Sequence, residues 1–194
     1  ILLILCYQLN EEKNNEQDVL ALWETIDDDY FLRHTADEIT WHTKGILKHK
    51  NAENPLALVN KKSAQENSLI FIYMADRKNI FSTITRTIEK LGLNILDARI
   101  ITNNNGFVLD TFVVLENNGE LIKTTERGNE IKARIIKDLN STQAFPEQGK
   151  WLEKRQIKSF NLPTRVTFET DEKNNRTIME VNTIDRPGVL SRIS

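Results

Sequence analysis

An α+β fold, an antiparallel sheet carrying two helices on one face, follows from three observations along this chain. From Leu69 to Leu162, strand-like and helix-like stretches alternate in the order βαββαβ. Each helical stretch carries a single apolar stripe. Asn and Gly cluster where the chain must reverse between strands. That order and those reversals describe the ferredoxin-like arrangement.

The elements follow in order. Residues 1–50 read as helical. "DVLALWETI" sets Val19, Leu22, Trp23 and Ile26 on one face, and "DDDYFLRH" interrupts it as a solvated acidic loop or the electronegative flank of the next helix. "TADE" is a start signal, with Thr35 as N-cap and Glu38 closing a capping box, and the helix "ADEITWHTKGILKHK" follows. Residues 51–65, rich in Asn, Ser and Pro with no sustained period, read as a linker.

A module spans 66–162. "LIFIYMA" is a short apolar run between polar residues, hence a buried strand. In "NIFSTITRTIEKL", Ile80, Phe81, Ile84, Ile88 and Leu91 form one helical stripe, and Gly92 is placed as C′ residue. "LNILDARIIT" and "FVLDTFVVLE" are strands joined by the "NNNG" turn, and "NNGE" is a second turn. "ERGNEIKARIIKDLN" is a helix through Ile131, Ile135 and Leu139, and "RQIKSFNL" (155–162) is the closing strand. Residues 163–194 add the strands "RVTFET" and "RTIMEVNTI", then a turn and the start of a helix.

That last segment repeats an earlier one. At an offset of 109 residues, Asp76 and Arg77 fall on Asp185 and Arg186, Ile80 on Val189, Phe81 on Leu190, and Ser82 on Ser191. Ile70 and Ile72 meet Met179 and Val181. The chain therefore reads as one whole unit and the first βα of a second. The first residue is Ile1, and both ends read as cuts in something longer.

Composition narrows the function classes. Of 194 residues, 39% are apolar and 28% charged, with a formal net charge of −2. Nothing draws the whole chain to nucleic acid or acidic lipid. "ILLILCYQL" falls short of the ~20 residues of a membrane span and lacks the flanks of a signal peptide. One cysteine, Cys6, permits no internal disulfide, and a reducing cytoplasm is the default. His34, His42 and His49 share no helical face, which speaks against a metal site. Phe107 and Phe112 in "NGFVLDTF" read as core aromatics rather than as base-stacking platforms, since the strand carries Asp110 and no basic stripe.

The turn into the last helix has a chemistry of its own. The first N–H groups of a helix are unpaired and sit at its positive dipole end, where a carboxylate is favoured. Gly188 admits a ligand to the backbone. Asp185 either caps the helix or meets a ligand ammonium.

Asp-Arg-Pro-Gly-Val-Leu (185–190), between an apolar strand and an amphipathic helix, resembles the signature turn of ACT domains, small βαββαβ modules that commonly bind amino acids. The stretches "DDDYFLRHTADEITWHTKGIL", "IFIYMADRKNIFSTI", "LNILDARIITNNNGFVLDTFVVLE" and "FNLPTRVTF" resemble the C-terminal part of the bifunctional uridylyltransferase and uridylyl-removing enzymes of the PII nitrogen-regulatory protein. The resemblance runs from about Trp23 to Ser194. It implies a cytoplasmic parent enzyme that uses Mg2+, modifies PII through a nucleotidyltransferase domain and removes the UMP through an HD domain. Residues 1–50 are then the helical end of the HD region, 66–162 a first ACT domain and 163–194 the start of a second. It implies glutamine as ligand, bound near Asp185, Gly188, Val189 and Leu190, with a weaker site at Asp76, Asn79, Ile80 and Phe81. Asn94 and Ile95 would line the other wall across an ACT–ACT pair or dimer. The chain lacks the transferase acid pair and any His-Asp dipeptide, so no catalysis and no cofactor are expected of it alone. The first turn departs from the signature: Lys78 and Asn79 replace Pro and Gly. Asn tolerates the left-handed region, so the turn is expected to keep its shape while its side chain narrows the approach. The alternative is an ACT-type binding or ferredoxin-like interaction module of another regulated protein.

Overall fold

The computed structural model describes residues 16–49, 51, 53–61, 67–141, 163–172, 176–183 and 189–190. The chain divides into two compact units, residues 1–141 with 190–194, and residues 142–189.

Among the described residues, the first unit begins with three helices, α1 (Glu16–Trp23), α2 (Asp28–Arg33) and α3 (Ala36–Lys48). Of the two readings of the acidic run, a solvated loop or the electronegative flank of a helix, the second holds: it starts α2. Asp27 is its N-cap, accepting the Asp29 N–H at 3.0 Å, and Asp28 and Asp29 sit in the first turn, where acids complement the dipole. The expected capping box of α3 is present. Thr35 Oγ1 accepts the Glu38 N–H at 3.3 Å, and the Thr35 N–H donates to Glu38 Oε2 at 2.8 Å.

Then follow β1 (Leu56–Asn60), β2 (Ser68–Ala75), α4 (Ile80–Lys90), β3 (Leu93–Arg99), β4 (Phe107–Glu116) and α5 (Thr125–Asn140). The four strands form one antiparallel sheet in the order β1-β2-β4-β3. Gly92, Gly106 and Gly119 hold positive φ at the reversals, as their places in the sequence suggest.

The edge beside β2 differs from the expectation. Residues 51–65 are not all linker: Leu56–Asn60 is a strand pairing with β2, Leu56 opposite Tyr73 and Asn60 opposite Leu69. It takes the position expected of the closing strand at 155–162, which lies outside the described residues. The sequence hides β1 because the strand is covered on both faces, so "LALV" shows no period-2 alternation, and Pro55 and Asn60 flank it.

Both faces of the sheet are buried. On one, Ala57, Ile70, Ile72, Val108, Phe112 and Val114 pack against Ile80, Ile84 and Ile88 of α4 and Ile131, Ile135 and Leu139 of α5. These are the two helices expected on one face. On the other, Phe71, Leu109, Leu56, Leu58 and Tyr73 pack against Val19, Trp23, Tyr30, Ile39 and Ile46 of α1–α3. Gly45 brings α3 close to β1; a Cβ there would collide with Leu58 Cδ1.

The second unit contains the hairpin β5 (Arg165–Asp171) and β6 (Arg176–Asn182). Its register copies that of β1–β2. Leu56↔Tyr73 and Ala57↔Ile72 become Arg165↔Asn182 and Val166↔Val181, every position displaced by the same 109 residues. The repeat therefore extends to backbone pairing, and it begins one strand earlier than the apolar matches alone suggest.

Candidate functional site

The candidate turn joins β2 to α4. Its first residue is anchored by the Asp76 N–H, which donates to the Gly106 carbonyl at 2.8 Å. Arg77 Nη2 donates to the Leu139 carbonyl near the end of α5. Asn79 is the N-cap of α4 and adopts φ 65°, the left-handed conformation expected of an Asn where the signature has Gly. Its side chain makes no capping bond, and no acid stands in the first helical turn. The start of this 11-residue helix thus keeps the electropositive character that suits a carboxylate.

Of the four residues expected at this turn, Asp76 and Asn79 are exposed. Ile80 is buried in the core, so only its backbone faces the site. Phe81 is half-buried, its ring 6.0 Å from Phe112. Asn94 and Ile95 are not brought to the turn within this chain. They pair with Leu115 and Val114 just after the C-terminal end of α4, and a helix of that length separates the two ends by about 16 Å. Ile95 packs against the core and Asn94 is exposed. Asp185 and Gly188 lie outside the described residues. Val189 and Leu190 are helical, matching Ile80 and Phe81.

Sequence reasoning missed two buried polar groups near the turn. Asp110, on β4 between Val108 and Phe112, is 1% exposed, and its Oδ1 has no hydrogen-bond partner. Burial pushes its carboxyl up to about 7; the Ile101 backbone opposes this and the Asp76 carboxylate adds to it. Asn103 is the second. Its Oδ1 accepts the N–H groups of Asn105 (3.1 Å) and Phe107 (2.8 Å), and its Nδ2 donates to Thr25 Oγ1 at 3.1 Å. The only sequence signal for either was a polar residue inside or beside an apolar strand.

The histidines pack in the joint between helices and sheet. His34 Nδ1 donates to the Tyr30 carbonyl at 2.9 Å, which leaves Nε2 to accept from Thr111 Oγ1 at 3.1 Å. Tyr30 Oη meets His42 Nδ1 at 2.7 Å, and the His42 ring stacks on Phe71 at 3.8 Å. The rings of His34 and His42 lie 5.3 Å apart although their sequence spacing puts them on no common helical face. Burial holds both below the usual histidine range. Among the described residues, no three His, Cys, Asp or Glu side chains group to hold a metal ion, and no helix is long and apolar enough to cross a membrane.

The antiparallel sheet with α4 and α5 on one face makes the first unit a ferredoxin-like module of the ACT kind. Residues 59–138 match the family model "Plant bHLH transcription factor, ACT-like domain". Residues 6–45 match "Uridylyltransferase GlnD fifth domain". Nearly the whole chain is similar to one part of the bifunctional uridylyltransferase/uridylyl-removing enzymes, as the sequence motifs indicate. It is 36% identical to that of Acinetobacter baumannii strain AYE over 178 residues, covering 91% of this chain and 20% of the relative. It is 38% identical to that of Pseudomonas aeruginosa strain LESB58 over 190 residues, covering 96% and 21%. The chain thus spans about a fifth of the length of these relatives. No solved structure matches.

Proposed function

We propose that this chain is the regulatory, amino-acid-sensing region of a cytoplasmic bifunctional enzyme that adds UMP to the PII protein and removes it. The observation that carries this reading is similarity to those enzymes along 91–96% of the chain. The chain supplies no catalysis; Mg2+ and PII belong to the parent enzyme. Glutamine is the ligand. Its carboxylate accepts from the first N–H groups of α4, which no side chain of Asn79 caps, and its ammonium faces Asp76. The repeated turn at Asp185, Gly188, Val189 and Leu190 is the stronger site because glycine admits the ligand to the backbone. Since Asn94 and Ile95 lie at the other end of α4, they line a site only when a second module is paired alongside.

Calorimetry of a chain completing the second module, titrated with glutamine and with glutamate, tests this. Saturable heat with glutamine and none with glutamate is expected; no heat with either refutes the reading. In the intact enzyme, Gly188→Val is expected to abolish the effect of glutamine on PII modification while the protein stays folded. The match of residues 59–138 to an ACT-like domain of transcription factors favours a second reading, an interaction module without ligand. That reading predicts self-association insensitive to every amino acid.

A further inference from the structure

The helix that the Asp76 turn begins and the α1–α3 layer lie on opposite faces of the sheet, yet one loop bonds both to the turn and to the end of α1. The Asp76 N–H donates to the Gly106 carbonyl at 2.8 Å. The Gly106 N–H donates to the Asn103 carbonyl at 3.0 Å. Asn103 Nδ2 donates to Thr25 Oγ1 at 3.1 Å, and the Asn104 N–H donates to the Thr25 carbonyl at 2.9 Å. Thr25 follows α1, and its hydroxyl donates in turn to the Leu22 carbonyl at 2.7 Å. We propose that the β3–β4 loop, with Asn103 as its positioning residue, carries the state of the Asp76–Phe81 turn to the helical layer. The proposal rests on the reading of that turn as a ligand site.

The geometry suits the role. Asn103 is 5% exposed and uses both ends of its amide. The oxygen holds the loop closed through Asn105 and Phe107, and the nitrogen reaches the helices. A buried amide with both ends engaged resists sliding, because an orphaned donor or acceptor is costly. A shift at Asp76 therefore drags Gly106 and, through it, the contact on Thr25. The two links can be separated. Asn103→Asp keeps acceptors for the Asn105 and Phe107 N–H groups but loses the donor to Thr25. Thr25→Val keeps the shape and the Asn104–Thr25 backbone bond but loses the acceptor, and with it the hydroxyl's bond to the Leu22 carbonyl, so each background is compared with its own unstrained turn. Coupling of this kind is reciprocal and requires two arrangements that each site biases.

The test uses the 194-residue chain and amide exchange. Asn79→Ala strains the turn, because alanine is disfavoured at φ 65°; Asn79→Gly loosens it instead and serves if the alanine variant does not fold. The reporters are the Thr25 and Ile26 amides, bonded to Leu22 and Trp23 at 3.1 and 3.0 Å. Either turn variant is expected to change their exchange by about five-fold or more, the low end of ordinary site–site coupling. Because the Asn104 N–H bond to the Thr25 carbonyl remains in the Asn103→Asp and Thr25→Val backgrounds, that change is expected to be clearly smaller there rather than zero. No change at Thr25 and Ile26, or a change of undiminished size in either background, overturns the proposal. Glutamine is then added. Failure to protect Phe81 and Ser82 removes the ligand reading, while the turn variants still decide the coupling. Protection there without response at Thr25 and Ile26 overturns the coupling alone.

Discussion

The two hairpins share a register, yet only one of their two faces is alike. On the face that in the first unit meets α4 and α5, the first hairpin has Ala57, Val59, Ile70 and Ile72; at the same register positions the second hairpin has Val166, Phe168, Met179 and Val181. On the other face the first hairpin has Leu56, Leu58 and Phe71 under the helical layer. The second has Arg165, Thr167 and Glu180 there. Backbone pairing and one apolar face are therefore common to both copies. The second apolar face belongs only to the copy that carries α1–α3. Seating a helix like α3 over Arg165 and Glu180 would strip water from two charges, which is costly unless each is paired.

The largest expected effect breaks this difference from both sides. Phe71→Glu buries a charge at a fully enclosed position and is expected to cost more than about 4 kcal/mol, unfolding the first unit in urea titrations. The converse Glu180→Phe is expected to move stability by less than about 1 kcal/mol and to promote self-association in sedimentation, since it adds exposed apolar surface.

Next in size is truncation on the shared face. Ile70→Ala, at 0% exposure, is expected to lose about 2–5 kcal/mol. Met179→Ala, at 47% exposure, is expected to change the stability read from the same urea titration by less than about 0.5 kcal/mol. A comparable loss at Met179 would mean that its face is as fully covered as that of Ile70.

Smaller effects test the polar groups of the first unit against pH. The Asp110 carboxyl holds its proton more tightly folded than unfolded, so its share of stability is present at low pH and lost as pH rises through about 7. Asp110→Asn is expected to gain about 1–3 kcal/mol over the unmodified chain at pH 8 relative to pH 5. His34 and His42 act in the opposite sense. Their folded affinity for protons lies below the unfolded value, so stability falls as pH drops below 6.5. Thermal melts from pH 5 to 8 are expected to show the native chain losing stability at both ends, and the Asn variant only at the acid end. Thr111→Val leaves His34 Nε2 without a donor and is expected to cost about 1–2 kcal/mol in the same melts.

Local signals carried most of the fold. The capping box at Thr35, the stripe from Ile80 to Leu91, the C′ glycine at Gly92 and the left-handed Asn79 each depend on a few adjacent residues, and each is where the sequence puts it. What depends on distant partners was not visible. β1 lacks alternation because two different layers cover it. The acids of α2 fit a loop and a helix flank equally until Tyr30 is buried beside His42. At the site, the turn could be located but its surroundings could not. Asn94 and Ile95 follow α4 closely in sequence and stand a helix length away in space. Asn103 and Asp110 matter through Thr25 and Asp76, 78 and 34 residues away.

The position of β1 also bears on how the chain comes off the ribosome. Had the sheet edge beside β2 been closed by residues 155–162, its pairing would wait until the whole module had been made. Leu58 instead meets Phe71 across a short connection. Closing that shorter loop saves about 1–2 kcal/mol of chain entropy, and such hairpins form within microseconds. A nucleus of β1 and β2 is thus available before α4 is synthesised. The repeat of the register at β5–β6 gives the second copy the same early start, so each copy begins with its own local template rather than borrowing a strand from its neighbour.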